Sequence, residues 1–396
     1  MENSMAGRSS TFLLLLLVFI YFPWQSAKAE YNIMGFGAKS NGRTDSTKSL
    51  LRAWSSACGS SSNKGAIMYI PKGKFLLGHV EFKGPCKSSI VTIKMDGTLV
   101  APSGYKGSGE EWIVFNKVDG LSIQGGTIDG QGASLWKCKE SSSNCPHGWR
   151  SLLIDHSKNV KIKDLTSINS KHFHIVIHES QRVMMQGVKI IAPDESPNTD
   201  GISLQKSSDV TILDANIKTG DDCISMSAGT KNVWAERISC GPGHGISIGS
   251  IGKTKNENGV NNITVKDTEF TGSDNGLRIK AWGRPSTAFV RGVIFEKSRM
   301  KNVKNPIIIN QNYCPNSKNC PNKNSGVKIS GITYNDIQGS SSSQVAMKFD
   351  CSPGNPCTGI SLKNIKLTYR GGQAKSSCKY AHGKSSGFVN PKSCLI

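Results

Sequence analysis

Four short phrases, NTDGISLQ (198–205), GDDCISMS (220–227), GPGHGISIG (241–249) and DNGLRIK (274–280), read as one strand written four times. Aligned on their first aliphatic residue, they place Ile202, Ile224, Ile246 and Leu277 at steps of 22, 22 and 31 residues. A step of that size is a coil repeat. If each coil returns the chain to the same sheet, successive copies lie about 4.7–4.9 Å apart and residues at equal offset become neighbours. Two residues ahead of the aliphatic then stand Asp200, Asp222 and His244, with Asp221 beside Asp222 and with Arg278 and Lys280 on the fourth copy. Three carboxylates, one imidazole and two cations thereby converge on one patch.

The same kind of phrase extends in both directions. A polar pair or a glycine precedes an alternating apolar strand, a turn and a second short strand in DGLSIQGGTIDG (119–130), KNVKIKDLTSINS (158–170), QRVMMQGVKIIAP (181–193) and SDVTILDANIKTG (208–220), and onwards to TGISLKNIKLTYR (358–370). Period-two alternation without a long helical pattern specifies an all-β fold, a single-stranded right-handed parallel β-helix. A leucine-rich horseshoe is excluded because the L-x-x-L-x-L phrase is absent, and a propeller would need longer, four-stranded repeats. No coil can bury its inner face alone, whereas the stack can. Ahead of the coils, residues 31–58 begin as a strand and turn helical. Leu50, Leu51, Trp54 and Ala57 share one face behind Asp45 or Ser46 as N-cap, which makes a short helix that covers the open end of the solenoid. Short strands follow in AIMYI, KFLLG and IVTIKM within 66–100.

The run TFLLLLLVFIYFP (11–23) follows Arg8, is too short to span a bilayer and ends near Ala27, Lys28 and Ala29, which is the pattern of a secretory signal cleaved after Ala29. The expected division is a signal peptide over 1–29 and one β-helix catalytic domain over 30–396. An even count of 12 cysteines in an exported chain favours disulfides, with Cys138/Cys145, Cys314/Cys320 and Cys351/Cys357 clipping short loops and Cys223/Cys240 tying neighbouring coils. The absence of a CxxC pair speaks against zinc, and no metal or other cofactor is expected. The formal net charge of +21 draws polyanions. Export makes nucleic acid the wrong one, so the expected partner is an extracellular acidic polysaccharide, bound by a secreted monomer in the cell wall with no membrane attachment.

Taken together and in this order, NTD, GDD, GHG and RIK resemble the motifs of the polygalacturonases, the pectin-cleaving glycoside hydrolases of family 28. GPCKS, DGQG, KHFHI, SAGTKN, CGPGHGISIGS and KAWGRPS are similar to the plant branch, and the likeness runs over essentially the whole chain beyond the signal. The resemblance implies a substrate cleft along one sheet and hydrolysis of α-1,4 linkages between galacturonic acid units with inversion. It implies Asp221 as general acid, Asp200 with Asp222 as the pair that activates water, and His244 as the residue that supports the acid's protonation. Arg278 and Lys280 correspond to the cations that hold a galacturonate carboxylate, and Tyr313 in NQNYC to a substrate-contacting tyrosine. Two departures are Ser203, where many plant relatives carry histidine, and MSAGT after the double aspartate.

The residues make chemical sense apart from the family. Inverting glycoside hydrolysis needs one carboxylic acid for the leaving oxygen and one carboxylate for the water. Stacked carboxylates repel, so at least one should hold its proton more tightly than an isolated aspartic acid. In LRIK, inward Leu277 and Ile279 turn Arg278 and Lys280 outward together. Strict alternation would turn Asp200, Asp222 and His244 inward, so a bend or bulge is expected at Gly201, Cys223 and Gly245. His172, His174 and His178 in KHFHIVIHES are read as cleft-wall or corner residues, and Asn262 heads the one N-x-S/T sequon. Three rivals stay open: a calcium-dependent pectate lyase on the same architecture, a basic wall protein that binds pectate without cutting it, and a hydrolase of another uronic-acid polymer such as rhamnogalacturonan. Segments 133–150, 252–260 and 314–325 are the candidate loop walls, and the short 252–260 insert beside GHG favours an open cleft and internal cleavage.

Overall fold

The computed structural model describes residues 28–104, 110–142, 144–315, 320–321 and 323–396. The expected signal peptide, residues 1–29, lies outside the described residues except for Lys28 and Ala29. Two sheets, one of 19 strands and one of 11, wrap a single core, and all their strand pairings are parallel apart from one between 368–369 and 372–373. Each coil runs through the 11-stranded sheet, turns into the larger one, bends within it and returns, which is a right-handed parallel β-helix.

The bends explain the polar pairs and glycines that punctuate the repeat. In register down the stack, Asn159, Arg182, Asp209, Asn232, Asn262 and Gly292 all take a left-handed backbone, with φ of 55, 53, 59, 56, 57 and 63°. Glycine, asparagine and aspartate tolerate that region best, because a short polar side chain bonds locally. The side chains also form a ladder along the corner: Asn232 Nδ2 donates to Asp209 Oδ1 at 2.9 Å, and Asn262 Nδ2 donates to Asn232 Oδ1 at 2.9 Å. The sequon asparagine is therefore an exposed member of a corner ladder.

The expected capping helix is present as Thr47–Cys58, preceded by Ser46, with the Asp45 carboxylate accepting from the Thr47 amide at 2.9 Å. It buries Leu50, Ala53, Trp54 and Ala57 on the first coils, while Leu51 lies half-buried at the edge of that face. Trp54 packs at 5.2 Å on Phe82 and 5.5 Å on Phe115, and a Cys58–Cys86 disulfide pins the helix end. All four cysteine pairs read from the sequence are formed, together with Cys58–Cys86 and Cys378–Cys394. Segment 133–150, read as a loop, instead contains a helix over Ala133–Ser141. Its Leu135 and Trp136 are buried, and Trp136 Nε1 donates to the Ser170 carbonyl at 3.2 Å.

The corner ladder can be tested at Asn232. Replacement by valine forces a β-branched side chain into the left-handed region and removes both ladder bonds, so chemical denaturation should show a loss of about 1–3 kcal/mol. Glycine should cost clearly less than valine, since it keeps the backbone and loses only the side-chain bonds. Equal losses would show that the left-handed corner is not what selects asparagine there.

Candidate active site

The four phrases stack in the 11-stranded sheet in the register the sequence alignment requires: Ile202 on Ile224, Ile224 on Ile246, and Ile246 on Leu277. The strands begin at Ile202, Ile224 and Ile246, so Asp200, Asp221, Asp222 and His244 lie in the bends just before them, outside the inward–outward alternation. The expected bends at Gly201, Cys223 and Gly245 are thus where the strands start. Gly245 has φ of 83°, and a Cβ there would meet the Asn275 carbonyl at 2.1 Å, so only glycine lets the coils close under His244. The bent segments still stack by backbone bonds, the Gly201 amide donating to Asp222 O and the Cys223 amide to Gly245 O, each at 2.8 Å. A disulfide between Cys223 and Cys240 braces the second bend.

Asp222 is the electrostatic centre, with its side chain 1% exposed. Arg278 Nη2 donates to its Oδ1 at 2.5 Å, Lys280 Nζ to its Oδ2 at 2.7 Å, and Ser247 Oγ to Oδ1 at 2.8 Å. Burial alone would favour the neutral acid, but the two cations outweigh it and hold Asp222 at about 2, so it is ionised. Ser247 also accepts from Arg278 Nε at 2.8 Å, which ties the cation to the carboxylate it neutralises. Both cations have N–H groups left over for a second anion, since a guanidinium carries five donors and an ammonium three.

Asp200 stands on the adjacent coil, also buried, with Ser225 nearby. Desolvation, joined by repulsion from Asp221 and Asp222, raises its carboxyl well above the usual aspartate range. One carboxyl of the stack is raised, as expected, and it is Asp200. Asp221 lies nearer the surface, its side chain 16% exposed. Its Oδ1 accepts from the Asp222 amide at 2.8 Å and faces His244 Nδ1 at 2.9 Å, while Oδ2 accepts from Asn198 Nδ2 at 3.3 Å. The bond to Asp221 raises His244 above the ordinary histidine value despite partial burial. Tyr313 comes to the same place: its ring lies 5.4 Å from Lys280 Nζ and 5.5 Å, edge-on, from Trp282.

Every residue singled out from the four phrases thus converges on one patch. Sequence reading missed Ser225 and Ser247, although their signal is plain once sought: Ser203, Ser225, Ser247 and Arg278 share one offset and pair in register. It also missed Asn198. The three histidines separate. His174 is fully buried and hydrogen-bonded to Ser167 at 2.8 Å, so it belongs to the packing. His178 joins Asp155 at 2.7 Å in a surface cluster further along the sheet. His172 alone approaches Asp221; burial, with Lys139, Arg150 and His147 nearby, drives it down to about 3, so its ring is neutral.

A stack of carboxylates, one of them pinned by two cations, fits a glycoside hydrolase, and the comparisons with known proteins place the chain among them. The family model described as glycosyl hydrolases family 28 matches residues 58–394, and the chain belongs to that family. It is 51% identical over 395 residues to a polygalacturonase of Prunus persica, which covers 99% of this chain and 100% of that protein. It is 40% identical to an exopolygalacturonase of Platanus acerifolia, over 93% of this chain and 98% of that one. Among solved structures, the endo-xylogalacturonan hydrolase from Aspergillus tubingensis superposes with a TM-score of 0.80 at 23% identity, covering 91% of this chain and 100% of that chain, which is a likeness of fold.

The opposed environments of the two buried aspartates predict opposed responses to pH. A raised carboxyl gives its full contribution to stability below the ordinary value near 3.8 and loses it as pH rises through the raised value. Asp200→Asn should therefore unfold at a higher temperature than the parent, by a margin that grows as pH climbs above about 4. Asp222 behaves in the opposite sense: its contribution is whole above 3.8 and lost as pH falls towards about 2. Asp222→Asn should cost about 3–5 kcal/mol at neutral pH, because two buried cations lose their partner. Thermal unfolding of both variants across pH is the check; an Asp200→Asn protein less stable than the parent at pH 7 would contradict the assigned environment.

Proposed function

We propose that this chain is a secreted polygalacturonase that hydrolyses α-1,4 bonds of polygalacturonate with inversion. The observation that carries the reading is Asp222, buried between Arg278 and Lys280, beside buried Asp200 and below the more accessible Asp221. Asp221 gives its proton to the leaving glycosidic oxygen. On the other side of the sugar, Asp222 takes a proton from the attacking water, and Asp200 orients that water by hydrogen bonding. Leaving oxygen and water exchange places at the anomeric carbon without a covalent intermediate, so the configuration inverts. His244, bonded to Asp221, returns the acid to its protonated state between turnovers. The spare donors of Arg278 and Lys280, with Tyr313 beside them, grip a substrate carboxylate. The high positive charge favours a polyanionic substrate over a neutral glycan.

Removal of residues 1–29 on export leaves one catalytic domain that acts as a monomer in the cell wall. Six disulfides support the oxidising compartment this requires.

Asp221→Asn keeps the shape of the acid but removes the proton, so reducing-end release from polygalacturonate should fall on the order of a hundredfold to ten-thousandfold with the fold intact. A variant that retains more than about a tenth of the activity would remove Asp221 from the role of acid. Proton NMR of the earliest product should show the inverted anomer. Retention would exclude direct attack by water, and an unsaturated end absorbing in the ultraviolet would mark a lyase.

A further inference from the structure

The catalytic row does not end at Asp200. Because Ile175 pairs with Ile202 and Leu152 with Ile175, the residue at the offset of Asp200 is Phe173 one coil earlier and Arg150 one coil before that. At the offset of Asp221 stand His172 and Trp149. The row that carries carboxylates thus turns aromatic immediately on the N-terminal side of the site.

The outward face of the sheet changes at the same coil. Along the catalytic coils it is polar, with Ser203, Ser225, Ser247 and Arg278 in register. Before them, the residues in that register are Val114, Leu153 and Val176, which are 6%, 8% and 0% exposed and form an apolar cluster of their own outside the central core. Outward-facing side chains are dry only if something sits on them, and Phe173 packs against this cluster. The His172 ring stacks on Phe173 with centroids 4.2 Å apart and planes 10° from parallel, and His147 meets His172 edge-on. Behind them lies the helix Ala133–Ser141, whose Lys139 Nζ donates to the His147 carbonyl at 2.9 Å and whose Cys138 is bonded to Cys145. Lys171 lies over the Trp149 ring at 5.2 Å, so the bend before Phe173 is held as well.

We propose that this wall closes the cleft one coil beyond Asp200, so that the enzyme accepts polygalacturonate only by a chain end and releases one galacturonate per cut. The inference rests on the polygalacturonase reading above and runs against the open cleft expected from the short 252–260 insert. A polyanion has no place on a dry apolar floor roofed by phenylalanine, since desolvating a carboxylate there has no compensating partner. In the other direction the register passes from Arg278 through one apolar residue, Ile308, to exposed Lys348, with no aromatic roof in that row, and there the rest of the polymer leaves the site. Neutral His172, wedged between the wall and Asp221, is the side chain that meets the terminal sugar.

The test compares viscosity loss with reducing-end release on polygalacturonate, with chromatography of the first products. Monogalacturonate as the dominant early product with viscosity nearly unchanged is the expected result. Oligomers appearing first, with a steep early fall in viscosity, would overturn the wall while leaving the polygalacturonase reading intact; no release of reducing ends would overturn that reading and the inference with it. Phe173→Ala supplies an independent arm. Provided it unfolds at a temperature close to the parent's, it should add oligomers to the early products, and a folded variant that still yields monomer alone would contradict the role given to Phe173.

Discussion

Parallel in-register stacking is the constraint from which both the fold and the chemistry follow. Each coil must place an aliphatic residue on the one below, and once Ile202, Ile224, Ile246 and Leu277 are stacked, everything at a common offset is stacked too. For the apolar faces this yields a continuous core. For the bends just ahead of the strands it brings carboxylates together at roughly the strand spacing, where two unit charges repel by about 3 kcal/mol at an effective dielectric near 20. Two answers to that repulsion are visible. Asp222 is neutralised by cations supplied from a later coil, and burial, with repulsion from its neighbours, raises the carboxyl of Asp200. A carboxylate pinned by cations beside one that holds its proton more tightly is thus the least costly way of burying the pair.

The arrangement spends stability for function. Arg278 and Lys280 are nearly buried, and their charges are tolerable only because Asp222 is there; Ser247 links the arginine to the carboxylate so that neither can turn away. Asp222 sits in the bend ahead of its strand, free of pleat alternation, while Arg278, Lys280 and Ser247 reach it from the outward positions of two later strands. Neighbouring strands of the same sheet, with no chemistry to perform, fill the same outward positions with valine and leucine.

The fold was legible because a single phrase recurs with a recognisable offset, and offset survives insertions between coils: the 31-residue step to Leu277 stacks as well as the 22-residue ones. The left-handed corners were visible only as polar pairs and glycines, since a preference for asparagine or aspartate does not by itself say which backbone region is occupied. The candidate site residues were legible from the same alignment, and the resemblance assigned them roles, but which carboxyl would be raised was not. That Asp200 would be the raised carboxyl depends on how deeply each bend is covered, and burial of that kind is a property of the packed stack. The helix Ala133–Ser141 escaped notice because its burial comes from two residues, Leu135 and Trp136, too few to make a periodic pattern. Phe173 was passed over for a different reason: the alignment of coils was not carried back past NTD, where it would have shown an aromatic residue at the offset of the catalytic aspartates.

The central claim is that stacking splits the buried carboxylates into one pinned in the ionised state and one kept neutral. Carbon-13 NMR titration of protein labelled at the aspartate side-chain carboxyl carbon, with Asp200→Asn and Asp222→Asn used for assignment, measures this directly. The account predicts that the Asp222 signal stays ionised down to pH near 2 while the Asp200 signal titrates well above the ordinary aspartate value. Two signals titrating together near the ordinary value of 3.8 would contradict it.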